Sequence, residues 1–184
     1  TQTGLRGVSF GDSLIKRVVE TLRAEFPRLK VFSTLSPIPG FRPWLAKHAG
    51  ALMELLSDKE RQTLAVALGQ ETAIAADFLA AADKATELDE KSPVRRFLMH
   101  CAANYLGRQL DNGRPLDAVA RFHLGNGARV ERLNWAGDIS TKGLKQSYGL
   151  MVNYLYDLKR LDKYRGLLAQ GKIPVSPKVE DLYI

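Results

Sequence analysis

The segment Gly4–Phe41, GLRGVSFGDSLIKRVVETLRAEFPRLKVFSTLSPIPGF, reads as a turn, a helix, a strand and a rigid loop in that order. Glycines punctuate its start, and Asp12 or Ser13 can cap the helix after them. Leu14, Ile15, Val18, Val19, Leu22 and Phe26 recur at the spacing of one helical face, and Pro27 closes it. Lys30 to Leu35 reads as a short buried strand carried by Val31, Phe32 and Leu35. In Ser36-Pro37-Ile38-Pro39-Gly40, two prolines and a glycine deny helix and ladder alike, which makes this a rigid loop at a strand end.

Outward from that segment, Trp44 to Leu110 is helical by pattern, most clearly over the alanine-rich Glu71 to Ala85 and over Pro93 to Leu110. Ser92-Pro93 is a helix-start signal. No period of 20–50 residues recurs, which excludes a solenoid. Asp117 to Leu124 is a short apolar element, and Asn126-Gly127 is a turn dipeptide. Val130, Arg132 and Asn134 alternate with Glu131, Leu133 and Trp135, as in a strand. Ser140 or Thr141 then opens a long helix to about Leu161, with Leu144, Ser147, Met151, Tyr154, Leu155 and Leu158 on its inner side. On that helix Tyr148 and Tyr154 are core, whereas Tyr156 is offset and free to point elsewhere. Val175 to Ile184 reads as a tail. The expected class is α+β, helix-rich, with few strands.

The chain has 184 residues, 45% of them hydrophobic, which suits one domain, or one and a fraction, with enough apolar content to bury a core. That composition excludes a disordered chain, a collagen-like repeat and a disulfide scaffold. A single cysteine, Cys101, forbids an intrachain disulfide. His48, His100 and His123 lie far apart with no second cysteine, so no metal site is expected. No apolar run approaches the roughly 20 residues of a membrane helix. The net charge of +7 suits contact with a polyanion or a phosphorylated cofactor. Its densest cluster, Lys159, Arg160, Lys163 and Arg165, is interleaved with Asp157 and Asp162 and reads as a solvated helix face. Without an initiator Met or a signal h-region, the chain is expected to be the later part of a longer protein. Asp181-Leu182-Tyr183-Ile184 is no peroxisomal address, and the expected compartment is the cytoplasm.

Three features could carry chemistry. A glycine-rich loop feeding a helix N-terminus aims free backbone N–H groups at one point, where phosphate binds. Arg6, Gly7, Val8, Ser9, Phe10 and Gly11 fit [QR]-x-x-G-x-[GA] with Ser9 in the usual glycine slot, and Asp12 comes next. The same residues also fit an ordinary capped turn. Ser36, fixed at a strand end by Pro-Ile-Pro, stands where ligands meet open sheets; it lacks a G-x-S-x-G elbow and is equally readable as a turn serine. His123, between two apolar residues ahead of a tight turn, is either a satisfied core histidine or a proton donor tuned by its pocket. His48 and His100 read as structural.

The loop pattern resembles the pyrophosphate loop of acyl-CoA acetyltransferases of the GNAT superfamily. Longer blocks carry a closer resemblance: Gly4–Val8, Leu14–Val19, Val31–Phe41, Val119–Ala128, Asn134-Trp135 and Tyr148–Tyr154. Together these resemble the catalytic region of the malonyl-CoA decarboxylase family, in register from Gly4 to about Asp157 and loosely from about Ala46 to Glu90. The resemblance implies a GNAT-like acyl-CoA-binding domain over residues 1–184, with a helical insertion at about 44–110. An N-terminal helical domain and the first strands would lie outside this chain. It implies a carboxy-lyase that turns malonyl-CoA into acetyl-CoA and carbon dioxide without metal, biotin or pyridoxal phosphate. Ser36 and His123 fall on the family's serine–histidine pair, and Tyr156 on its active-site tyrosine. Ser36 would hold the malonyl group, His123 would protonate the enolate carbon, and Tyr156 would position the acyl group. The pyrophosphate would lie over the amides of about Val8 to Asp12, near Arg6 and Lys16. Where some members carry a glutamate in the loop, this chain has Ser9, so that carboxylate's role does not carry over. A further active-site serine of the family would lie upstream of Thr1.

The expected partners are malonyl-CoA and acetyl-CoA, the rest of the polypeptide and further copies in a homo-oligomer, with no nucleic acid and no membrane. One rival is a GNAT-type acyltransferase, which needs an amine acceptor. A second, a basic nucleic-acid module, has no helix-turn-helix, RRM or zinc pattern behind it.

Overall fold

The computed structural model describes residues 10–184, with side chains from Leu14 onward. Helix α1 spans Phe10–Glu25, so it begins two residues before the expected Asp12 or Ser13 cap. Its apolar face is only partly used. Val19 is buried and Ile15 packs on the core, whereas Leu14, Val18 and Phe26 are about half exposed.

The next segment runs extended, with alternating exposure, from Val31 to Ile38, so the strand expected to be buried is half-exposed. Val31 and Leu35 face outward, and of its three apolar residues only Phe32 packs on the core. Strands β1 (Val31–Ser33) and β2 (Ser36–Pro37) both lie antiparallel on one edge of a later strand, β6 (Met151–Asp157). The expected loop at Ser36-Pro37 is therefore a strand at its start. Proline is tolerated there because β2 is an edge. At the break, Thr34 N–H donates to Tyr154 O (3.0 Å) and Thr34 Oγ1 accepts from Tyr154 N (3.3 Å), so a side chain replaces a missing carbonyl in the ladder.

The helical middle is as expected: α2 (Phe41–Glu54), α3 (Asp58–Ala67), α4 (Ala75–Ala82) and α5 (Pro93–Arg108) pack on one another. Ser92 caps α5 by accepting from Arg95 N, with Pro93 in the first turn. A small hairpin, β3 (Leu110–Asp111) with β4 (Arg114–Pro115), leads to α6 (Ala118–Gly125), capped by Asp117. Strand β5 (Arg129–Asn134) then pairs with the other edge of β6.

The expected helix from Ser140 to Leu161 is wrong beyond its first two turns. Helix α7 covers only Thr141–Ser147, capped by Ser140. Tyr148 (φ 54°) and Gly149 (φ 83°) turn left-handed in succession, with Gly149 N–H closing on Gly143 O, a geometry that ends a helix. Beyond this turn the chain enters β6, the centre of a four-stranded sheet. Val152, Tyr154 and Tyr156 point inward in strict alternation. Tyr148 and Tyr154 are core as expected; Tyr156 is also buried, not free.

Helix α8 (Leu161–Ala169) carries Lys163 and Arg165 of the basic cluster; Lys163 is exposed, whereas Arg165 is half-buried, pairs with Asp162 and donates to Asn126 O. The expected tail is instead docked structure. Val175 forms a parallel bridge to Val130, α9 (Pro177–Glu180) buries Val179, and Arg108 lies 4.0 Å over the Tyr183 ring. Polar links from His100 and Arg108 and the half-buried Tyr183 ring hold it, which hydrophobic spacing does not reveal. Among the described residues, no helix is long and apolar enough to cross a membrane.

Gly127 (φ 89°) lets the end of α6 pass against α8, because a Cβ there would lie 2.9 Å from the Leu161 backbone. Gly127→Ala should cost about 1–3 kcal/mol through strain and displacement, lowering Tm by several degrees in a thermal melt. An unchanged Tm would contradict this packing.

Candidate active site

Three elements bring Ser36, His123 and Tyr156 together. Ser36 stands on β2 opposite Val152, Tyr156 stands on β6 opposite Phe32, and α6 lays His123 across the sheet between them. His123 Nε2 lies 3.4 Å from Ser36 Oγ, and its Nδ1 lies 2.7 Å from the Tyr156 hydroxyl. All three side chains are buried. The imidazole stacks on Tyr154, with ring centroids 4.7 Å apart and planes 24° apart. Thr34 Oγ1, 2.9 Å from Ser36 Oγ, extends the chain of polar contacts to Thr34–Ser36–His123–Tyr156.

The electrostatics are those of a dry slot. Burial pushes the His123 pKa down to about 4, with no partner charge opposing it. The ring is therefore neutral at pH 7 and can donate from one nitrogen while accepting at the other. A 3.4 Å serine–imidazole contact is long for a hydrogen bond, as catalytic pairs often are before substrate arrives. Tyr154 Oη is buried with no hydrogen-bond partner among the described residues, so Tyr154 serves the site through its ring face. Tyr156 also borders a cavity of about 160 Å³ between α1 and α8, which Lys16, Val19, Asn126 and Arg165 help line.

The expected phosphate-loop residues Arg6, Gly7, Val8 and Ser9 lie outside the described residues. Phe10, Gly11 and Asp12 are described only as the first turn of α1. His48 and His100 are structural: Nδ1 of each faces a backbone oxygen, Trp44 O at 2.7 Å and Leu182 O at 2.6 Å. Among the described residues, no three His, Cys, Asp or Glu side chains stand where they could hold a metal ion. Sequence reasoning missed Thr34 and the stacking role of Tyr154. The i, i+2 spacing of Thr34 and Ser36 in an extended run was the available signal.

Residues 1–183 match the family model described as the malonyl-CoA decarboxylase C-terminal domain. The chain belongs to the malonyl-CoA decarboxylase family. A curated relative, mitochondrial malonyl-CoA decarboxylase of Mus musculus, is 42% identical over 167 residues, covering 86% of this chain and 34% of its own length. The chain thus spans about a third of the length of the curated relatives it matches. Among solved structures, malonyl-CoA decarboxylase from Cupriavidus metallidurans superposes with a TM-score of 0.85 at 46% identity, over 98% of this chain and 45% of that one. The Rhodopseudomonas palustris enzyme gives 0.74 at 42% identity, over 100% of this chain and 40% of that one. The helix-rich α+β architecture is therefore that of malonyl-CoA decarboxylase structures.

The slot generates two expected outcomes. Tyr154→Phe removes an unsatisfied hydroxyl and keeps the stack, so Tm should hold or rise; a fall of several degrees would show a hidden partner. Unfolded histidine takes up its proton near pH 6.5, whereas folded His123 does so near pH 4. Its contribution is thus complete above pH 6.5 and lost as pH falls through that window, by up to about 3 kcal/mol. Denaturant unfolding at pH 7 and pH 5 should show a smaller loss in His123→Gln than in the native protein.

Proposed function

We propose that this chain is the C-terminal part of the catalytic domain of a malonyl-CoA decarboxylase. It would convert malonyl-CoA to acetyl-CoA and carbon dioxide on a GNAT-like, acyl-CoA-binding core. The observation that carries the proposal is the contact between Ser36 and His123, 87 positions apart in sequence and buried together beside Tyr156. A family match alone would not require that juxtaposition.

The chemistry runs through these side chains. Breaking the bond between C2 and the carboxylate releases carbon dioxide and leaves the electron pair in an enolate, with the thioester carbonyl as electron sink. No metal, biotin or pyridoxal phosphate is needed for that step. Ser36 donates to the thioester oxygen as negative charge grows on it. A malonyl carboxylate seated against His123 favours the cationic ring, so binding draws in the proton that C2 later receives. His123 Nε2–H then protonates C2 and returns to neutral, while Tyr156 Oη holds Nδ1 throughout. The CoA pyrophosphate is assigned to the amides of Val8 to Asp12.

The rest of the same polypeptide is the proposed cover for the open side of the sheet. The exposed residues Leu14, Val18, Phe26, Val31 and Leu35, on α1 and around β1, support that reading, as does the greater length of the relatives.

The test uses the full-length protein with malonyl-CoA and no acceptor. Carbon dioxide should be released, and His123→Ala and Ser36→Ala should each cut kcat by about 10²-fold or more with CoA affinity retained. Turnover of His123→Ala within threefold of wild type would overturn the assignment. Acyl transfer to an amine without carbon dioxide release would favour an acyltransferase.

A further inference from the structure

We propose that Asp117 is a positioning residue that sets the separation of Ser36 and His123, by tying the helix that carries the histidine to the loop that leaves the serine. The proposal rests on the decarboxylase reading for its kinetic consequence, though not for its geometry.

Asp117 is only 2% exposed, and both its oxygens are engaged. Oδ1 accepts from Val119 N and Ala120 N, each at 3.0 Å, which is the work of an N-cap. Oδ2 accepts from the Tyr105 hydroxyl at 3.1 Å and lies against Gly40, where an added Cβ would stand 3.6 Å from it. A cap alone does not call for this. The other helices here with side-chain caps, α3, α5, α7 and α9, use Ser57, Ser92, Ser140 and Ser176. Burying a carboxylate costs desolvation that a serine avoids, and that burial pushes the Asp117 pKa up against its hydrogen bonds. The surplus is what the second oxygen does.

Both arms that meet at Asp117 are stiff. From Gly40 back to Ser36 the chain is Pro37-Ile38-Pro39, with Ile38 fully buried. From Asp117 forward to His123 the chain is helix. Gly40 itself is packed so closely that a Cβ would run into the Tyr105 hydroxyl. A shift of the Asp117–Gly40 contact therefore passes almost undamped to the Ser36–His123 contact, where a change of about 1 Å is enough to cost 10²-fold in rate.

The discriminating variant is Asp117→Ser, which keeps a capping hydroxyl but cannot reach Gly40 and Tyr105. In the full-length protein its Tm should stay within a few degrees of wild type and its KM for malonyl-CoA within twofold, while kcat falls at least tenfold. Asp117→Ala should show the same loss of kcat with a lower Tm. If Asp117→Ser fails to fold, Asp117→Asn, which keeps the capping oxygen but turns an amide toward the Tyr105 hydroxyl and Gly40 in place of the carboxylate oxygen, should give the same loss. A crystal structure of the variant reads the proposal without turnover: the separation of Ser36 Oγ and His123 Nε2 should exceed 4 Å. Wild-type kcat in Asp117→Ser, or an unchanged separation, reduces Asp117 to a cap and overturns the proposal. Absence of carbon dioxide release by the wild type would instead overturn the decarboxylase reading and leave the crystallographic comparison to decide this one.

Discussion

Strand β6 is hydrogen-bonded along both edges, and the geometry of the site depends on that pairing. One edge carries β1 and β2, which fixes Ser36 against Val152 and Phe32 against Tyr156. The other edge carries β5, which α6 reaches through the Gly127 turn, so the histidine helix is anchored to the same strand. The alternation of β6 turns Tyr154 and Tyr156 to one face, the first as a stacking plate for the imidazole and the second as partner to its Nδ1. A one-residue slip of register would send both tyrosines to the opposite face and dissolve the site. The break between β1 and β2 is handled within the same strand pair, where Thr34 bonds both the N–H and the carbonyl of Tyr154.

The electrostatic character of the slot comes from the packing. Aromatic rings and apolar side chains remove water from around His123, and its pKa falls from desolvation alone. A slot built around a neutral imidazole has no charge to neutralise, and an incoming anion finds a ring ready to accept a proton. The carboxylate that does lie in this part of the protein, Asp117, spends its charge on backbone amides and the Tyr105 hydroxyl.

Much of this is legible in the sequence. The α1 stripe, the helical middle, the Ser92-Pro93 start and the β5 alternation come directly from local chemistry. Ser36, His123 and Tyr156 are identified by resemblance, since each alone also fits a bland role. The region around β6 misleads for a physical reason. Leu144, Ser147, Met151, Tyr154 and Leu155 happen to fall at helical spacing, which masks the period-2 run Val152, Tyr154, Tyr156. Gly149 is the warning, but Tyr148, a non-glycine residue in the left-handed region, gives no signal of its own. The closing segment reads as a tail because its attachment depends on long-range contacts to Val130, His100 and Arg108. Asp117 is visible as a helix start, but what its second oxygen holds lies far away in sequence.

The proposed chemistry stands or falls on where the acyl group lies. The most direct measurement is a crystal structure of the full-length protein with a malonyl-CoA analogue that cannot lose carbon dioxide. The thioester oxygen should lie within hydrogen-bonding distance of Ser36 Oγ and the acyl chain against His123 Nε2, on the ring edge away from Tyr156. An acyl group bound elsewhere, with the Ser36–His123 slot closed to it, would contradict the proposed chemistry.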